Sequence, residues 1–201
     1  VIQHEGGLVA GAFNADRLVG YIFGFPTRDP SVQHSHRLAV DPDVRGAGLA
    51  LRLKRYQREW CLSRGIREVR WTFDPLRVTN AHLNIGRLGA IVKTYFTDYY
   101  GEMAGINAGL PSDRLLAQWM LDDPRVAALA EGSIPAQLQG EVVPVNIPAD
   151  IDALIAADLK TALAERMRVR SEVMKNLAAG LQIRGFDRQA MAYLMAAAQS
   201  A

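Results

Sequence analysis

A fold of the α/β (α+β) class, helices packed on a sheet, is what the 201-residue sequence predicts, and three observations predict it. Near the start, apolar residues alternate in twos, the mark of half-buried strands. From Leu49 the period changes to that of a helix, with Leu49, Leu51, Leu53, Tyr56, Trp60 and Cys61 forming its apolar stripe. Short apolar runs and helical segments then take turns, and such alternation makes a layered sheet domain. The length suits one domain, or one domain with an extension, and is enough to bury a core.

Taken in order, Gly7 to Pro26, "GLVAGAFNADRLVGYIFGFP", reads as a hairpin. Leu8, Ala10 and Ala12 alternate with Val9, Gly11 and Phe13; Asn14-Ala15-Asp16 makes a polar turn; Leu18 to Phe25 returns. Ser35 to Val40 is a third strand, bounded by Asp41-Pro42. The helix from Leu49 holds Arg52, Lys54, Arg55, Arg58 and Arg64 off its apolar stripe, and Gly65 closes it. Val69 to Phe73 is a short strand ended by Asp74-Pro75. Asn80 is placed to cap a short helix through Leu88, which Gly89 ends. Ile91 to Tyr100 returns to strand character, and Arg114 to Leu121 fits a strand or the start of a helix.

Asp122 to Glu141, interrupted by Pro124, Gly132, Pro135 and Gly140, reads as a connector with room for one helical turn. Val142 to Val145 fits a strand. Ala149 to Ala179 reads as one long helical region with Leu154, Leu159, Leu163, Met167, Met174 and Leu177 as its apolar stripe, ended by Gly180. Leu181 to Ala196 fits a final hairpin around Asp187. The expected organisation is a core over 1–121, a connector over 122–141 and a C-terminal extension, 142–201, packed on the core.

A formal net charge of +2 argues against a dedicated nucleic-acid binder, whose footprint is a strong basic excess. Cys61 is the only cysteine, so no internal disulfide forms, which fits a reducing, cytoplasmic setting. No apolar run approaches the roughly 18 residues of a membrane span, and no signal peptide is visible. With four histidines and no supporting carboxylate spacing, no metal site is expected.

The chemistry concentrates in "HSHRLAVDPDVRGAGLALRLK", His34 to Lys54. His34, His36, Leu38 and Val40 are spaced to share one face of a strand. Histidine titrates near neutral pH and so suits proton removal. Arg45-Gly46-Ala47-Gly48-Leu49-Ala50 then opens the helix. Glycines permit positive φ and a close approach, and N–H groups at a helix start attract a phosphate.

These residues resemble the GNAT superfamily of acyl-CoA-dependent N-acyltransferases over about residues 7 to 100. Arg45, Gly48 and Ala50 fill the places of that superfamily's Gln/Arg-x-x-Gly-x-Gly/Ala pyrophosphate loop, and "RLGA", Arg87 to Ala90, stands where the short helix usually ends in Leu-Gly-aromatic. The resemblance implies a mixed, largely antiparallel central sheet flanked by helices. It also implies that the superfamily's first strand and two helices are missing, so that the chain is cut at its N-terminus. An acyl-CoA, as co-substrate and without a metal, would lie with its pyrophosphate on Arg45 to Ala50 and its pantetheine arm along Leu38, Ala39 and Val40, with Asn80 among its contacts. The two central strands would splay apart to admit it. "HSHRLAV" is similar to the His-x-His-x-Leu-Ala-Val of serotonin N-acetyltransferases, which puts proton removal on His34 and His36. One departure is Ala47, where many members carry a basic residue. Another is Ile85, where the superfamily often carries the tyrosine that protonates the leaving thiolate. Tyr95, Tyr99 and Tyr100 lie nearby in sequence, as acid or as ordinary aromatics.

"WTFDPL" (71–76), "NAHLN" (80–84), "DYYGEM" (98–103) and "GLPSDRLLAQW" (109–119) resemble a bacterial subgroup of predicted acetyltransferases. Some of its members accompany N-acylamino-acid racemases, which implies transfer of an acetyl or succinyl group to an amine such as an amino acid. Arg114 would then grip a carboxylate as a two-pronged fork or serve structurally on backbone carbonyls. The expectation is an N-acyltransferase working by direct attack, on a small-molecule amine, with homodimerisation open and neither nucleic acid nor membrane as partner. The rival expectation is a non-catalytic acyl-CoA sensor or interaction module.

Overall fold

The structure is a computed structural model that describes residues 1–101, 109–134 and 136–198. Its elements run β1 (Leu8–Asn14), β2 (Arg17–Pro26), β3 (Val32–Val40), α1 (Leu49–Leu62), β4 (Glu68–Phe73) and α2 (Val78–Ala81), then β5 (Ile91–Phe96), β6 (Arg114–Met120) and α3 (Pro124–Ala130). The chain finishes with β7 (Val143–Asn146), α4 (Ile151–Ala157), α5 (Leu159–Ala178), β8 (Gln182–Asp187) and β9 (Ala192–Ala196). The class is α/β, and the strand pairing is mixed: antiparallel throughout these pairs except for one parallel pair, β3 with β4. Two compact units result, residues 1–71 with 119–133 and residues 72–118 with 134–201. No helix among the described residues is long and apolar enough to cross a membrane.

In the first unit the hairpin forms as its alternation demands. Asn14 pairs with Arg17, leaving the two-residue turn Ala15-Asp16, with Ala15 at φ 49°. Leu8, Ala10 and Ala12 turn to one side, where they meet Ile22 of β2, Leu38 and Val40 of β3, and Leu49, Leu53 and Trp60 of α1. Burying such side chains is the main force holding α1 on the sheet, at about 25 cal/mol for each Å² of apolar surface removed from water. The helix closes on Gly65 at φ 75°, with the Ile66 N–H donating to the Cys61 carbonyl, a Schellman-type stop. The connector holds more structure than its composition suggests. Asp123 accepts from the Arg125 N–H, and Pro124 occupies the first turn of α3, a seven-residue helix.

In the second unit, β5 pairs with β6 and β8, and β9 lies between β8 and β7. The Arg114 segment is thus a strand. Three expectations fail here. The short helix starts at Val78, not after Asn80, so Asn80 sits inside α2 and caps nothing; the coil then widens into a π-helical turn over His82–Arg87. The long helical region is two helices, parted at Asp158, whose extended backbone lets its carboxylate accept the N–H groups of Lys160 and Thr161. Its buried face is Ala162, Arg166, Val169 and Val173, while Leu159, Leu163, Met167 and Met174 are exposed. Tyr193 is buried with its hydroxyl donating to the Pro75 carbonyl at 2.7 Å. The final hairpin and the strand near Val142 form as expected. Glu102 and Met103 of "DYYGEM", and Pro135, lie outside the described residues.

Candidate active site

The site begins with an irregularity in β3. Phe23 pairs with Arg37 and Gly24 with Ser35, so His36 is an extra residue with no partner on β2. Such a bulge shifts the side-chain alternation by one and disrupts the local ladder. Before it, His34 pairs with Phe25, and Ser35 with Gly24. After it, Leu38 pairs with Ile22 and packs with Val40 into the cluster facing α1. The expectation that His34, His36, Leu38 and Val40 share one face is therefore corrected. The two histidines do share a face, opposite α1, but the bulge turns Leu38 and Val40 to the other.

On that face the imidazoles stand with centroids 6.0 Å apart. His36 is exposed and sits 5.2 Å from both Phe23 and Phe25. His34 is half-buried, and burial first, then the charges of His36 and Lys54, hold its pKa below the ordinary histidine value. It therefore stays neutral at neutral pH and can accept a proton. The parallel pairing of β3 with β4 covers only Val32 to His34 against Glu68 to Arg70, while β3 runs on to Val40. The ladder thus ends at the first histidine.

Beyond β3, Pro42–Val44 forms a single 3₁₀ turn capped by Asp41, and the chain enters α1 through a glycine loop. Gly46 and Gly48 both have positive φ, 85° and 75°. Gly48 is the helix N-cap and has no side chain to satisfy the first N–H groups. Arg45, Gly46, Ala47 and Gly48 are exposed, Leu49 and Ala50 half-buried. The Arg45 Nε donates to the Val40 carbonyl at 3.3 Å, which ties the loop back to the end of β3.

Under the histidines, on the α1 side of β3, lies a group that sequence reasoning missed. The sequence places Lys54 off the apolar stripe of the helix, yet only 3% of it is exposed. Its Nζ donates to Ser35 Oγ at 3.0 Å and Gln57 Oε1 at 3.1 Å, and lies 3.7 Å from the Trp71 ring centroid. Gln57 Nε2 in turn donates to Gln33 Oε1, as does the Cys61 thiol. Burial lowers the Lys54 pKa to about 7 and pushes the Cys61 thiol up to about 12. A thiol so held is no nucleophile at neutral pH. The signal was present in the spacing: Lys54 precedes Cys61 by seven residues, two helical turns, and so lies under the same stripe.

In the second unit, Arg114 donates to the Asp113 backbone carbonyl at 2.7 Å and stands 3.7 Å from Asp74. Asp74 also receives both terminal nitrogens of Arg166, itself 2% exposed. Of its two expected roles, Arg114 thus fills the structural one here. The Tyr95 hydroxyl donates to Asp113, and burial first, then that bond, push its pKa up. Burial would raise the Asp113 carboxyl, but bonds from Arg170, Tyr95 and the Asp98 N–H outweigh it and hold it below the usual range. Tyr99 and Tyr100 are exposed, and Ile85 is fully buried. Among the described residues, no three His, Cys, Asp or Glu side chains come together as metal ligands.

Residues 1–83 match the profile of the Acetyltransferase (GNAT) family. No curated protein matches the sequence. Solved structures with a similar fold include a GNAT family acetyltransferase from Elizabethkingia anophelis with acetyl-CoA bound, 13% identical, covering 59% of this chain and 78% of that one at a TM-score of 0.51. A Bacillus subtilis acetyltransferase in complex with CoA is 18% identical, over 57% of this chain and 76% of that one, at 0.50. The ribosomal-protein-S18-alanine N-acetyltransferase from Escherichia coli is 16% identical, over 57% and 69%, also at 0.50. Residues 1–83 are thus similar to the Acetyltransferase (GNAT) family, and the chain shares its fold with solved acetyltransferases of that name.

Proposed function

We propose that the chain is an acyl-CoA-dependent N-acyltransferase that moves an acetyl or succinyl group to the primary amine of a small molecule such as an amino acid. The backbone N–H groups at Gly46 to Ala50, with Arg45, hold the pyrophosphate, and Leu38, Ala39 and Val40 line the pantetheine arm. The loop suits that role because both glycines are exposed and a Cβ at either would meet no protein atom within 4 Å. Space on the protein side is therefore open to a phosphate.

The observation that carries the reading is the pair His34 and His36, which share one face just where β3 parts from β4. An ammonium acceptor first loses a proton to this pair, directly or through water. The freed amine nitrogen attacks the thioester carbonyl, a C–N bond forms, the C–S bond breaks, and coenzyme A leaves as the thiolate, which takes up the second proton that the nitrogen sheds as it becomes the amide. Because His34 is held neutral, it is ready to take that proton at neutral pH.

A thiol-release assay with acetyl-CoA and succinyl-CoA over a panel of amino acids and amines tests the activity. In it, His34→Gln and His36→Gln singly should leave partial turnover, since water still reaches the remaining imidazole. The double variant should lose on the order of 10²- to 10⁴-fold, with partial rescue at high pH, where the amine is already neutral. Wild-type turnover in the double variant, with an unmoved acid limb, would reduce the pair to ordinary strand residues.

A further inference from the structure

The reading above leaves Lys54 without a task, and its surroundings are unusual for a buried cation. Its three N–H directions meet Ser35 Oγ, Gln57 Oε1 and the face of Trp71, with Trp119 further off at 5.7 Å. All are neutral. An ammonium on an aromatic face gains less than burying the ion costs. An unbranched apolar side chain would fill the same space more cheaply. Ser35, the residue Lys54 holds, stands between His34 and His36 at the edge of the bulge.

We propose that Lys54 is a positioning residue for the histidine pair: it clamps Ser35 from the α1 side of β3, and its positive charge opposes a second one on His34. The catalytic meaning of this rests on the histidine-base reading; the coupling itself does not. Among the described residues, these groups surround Lys54. β3 contributes Ser35 and, on its far face, His34 and His36; α1 contributes Gln57 and Cys61; β4 and β6 contribute the indoles of Trp71 and Trp119. Among the described residues no carboxylate is within ion-pair distance of Lys54, and its charge acts on His34. The coupling is reciprocal, so protonated His34 opposes the charge on Lys54 by the same amount.

The test follows both groups by NMR in the intact chain, reading the His34 ring nitrogens and the Lys54 Nζ against pH, beside the pH profile of kcat/KM. In Lys54→Met the His34 midpoint should rise and the acid limb should follow it. At pH 6, kcat/KM relative to its pH 8 value should fall by roughly threefold or more, with coenzyme A affinity unchanged. Ser35→Ala keeps the charge and removes the clamp, so kcat should fall while the His34 midpoint stays. An unmoved His34 midpoint in Lys54→Met overturns the coupling, and unchanged kcat in Ser35→Ala overturns the clamp. Where Lys54→Met does not fold, His34→Gln serves instead: the Lys54 midpoint should rise, and an unmoved one overturns the proposal. A His34 midpoint that moves while the acid limb stays fixed upholds the coupling and overturns the histidine-base reading.

Discussion

Lys54 makes the first unit's stability depend on pH in a direction that can be worked out. Burial lowers its pKa to about 7, while in the unfolded chain it holds its proton to about 10.4. Between these values the unfolded state binds more protons, so unfolding grows costlier as pH rises. The deficit is full below pH 7 and lifts above it. Cys61 acts the other way: its thiol is pushed up to about 12 when folded, so stability falls once the unfolded thiol ionises near pH 9. The clean window is therefore pH 7 to 9. Over it, the melting temperature of the wild type minus that of Lys54→Met should climb, as thermal unfolding followed by circular dichroism at pH 7, 8 and 9 would record. A flat difference would mean that Lys54 is neutral, or wet, in the folded protein.

At the scale of elements, two one-residue features decide what the strand and loop do. The bulge at His36 lets β3 show imidazoles on one face and still supply Leu38 and Val40 to the core under α1. A regular strand could do only one of these. At the end of β3, Gly48 at φ 75° turns the chain into α1 with no side chain over the first N–H groups. Gly48→Val puts a branched side chain there. A Cβ there meets no protein atom within 4 Å, and the left-handed backbone adds strain on the order of 1–3 kcal/mol. Calorimetry should find coenzyme A binding abolished while the thermal transition remains cooperative. Unchanged affinity would show that the phosphates bind elsewhere.

For the molecule as a whole, the last third of the chain is structural in the second unit. Arg166 of α5 neutralises Asp74, Arg170 does so for the fully buried Asp113, and Tyr193 of β9 holds the Pro75 carbonyl. Removing one partner of a buried ion pair costs about 3–5 kcal/mol because the other charge is stranded. A chain ending at Gly140 would take Arg166 from Asp74 and Arg170 from Asp113, and leave β5 without β8. Such a truncation should be insoluble or lack a cooperative thermal transition. A soluble, cooperatively melting fragment with full activity would show that the C-terminal segment is dispensable.

The sequence by itself determined the class, the hairpin, the order of strands and helices and the glycine loop, because each rests on a local period or a residue with a special backbone. "VAGAF" alternates in twos, Gly65 stops a helix and Gly48 starts one whatever lies around them. It also determined that His34 and His36 fall on one side, although for an incomplete reason. Tertiary structure alone decided which face Leu38 and Val40 take, because a bulge depends on the register of the partner strand and leaves no mark on its own strand. It decided which side of α5 is buried: Arg166 lies inward because Asp74, 92 residues away, is there to meet it, and the apolar stripe of Leu159, Leu163 and Met167 turns outward. The same holds for Lys54. A lysine reads as solvent-facing until its Ser35, Gln57 and Trp71 partners are seen together, and only folding brings those three to one point.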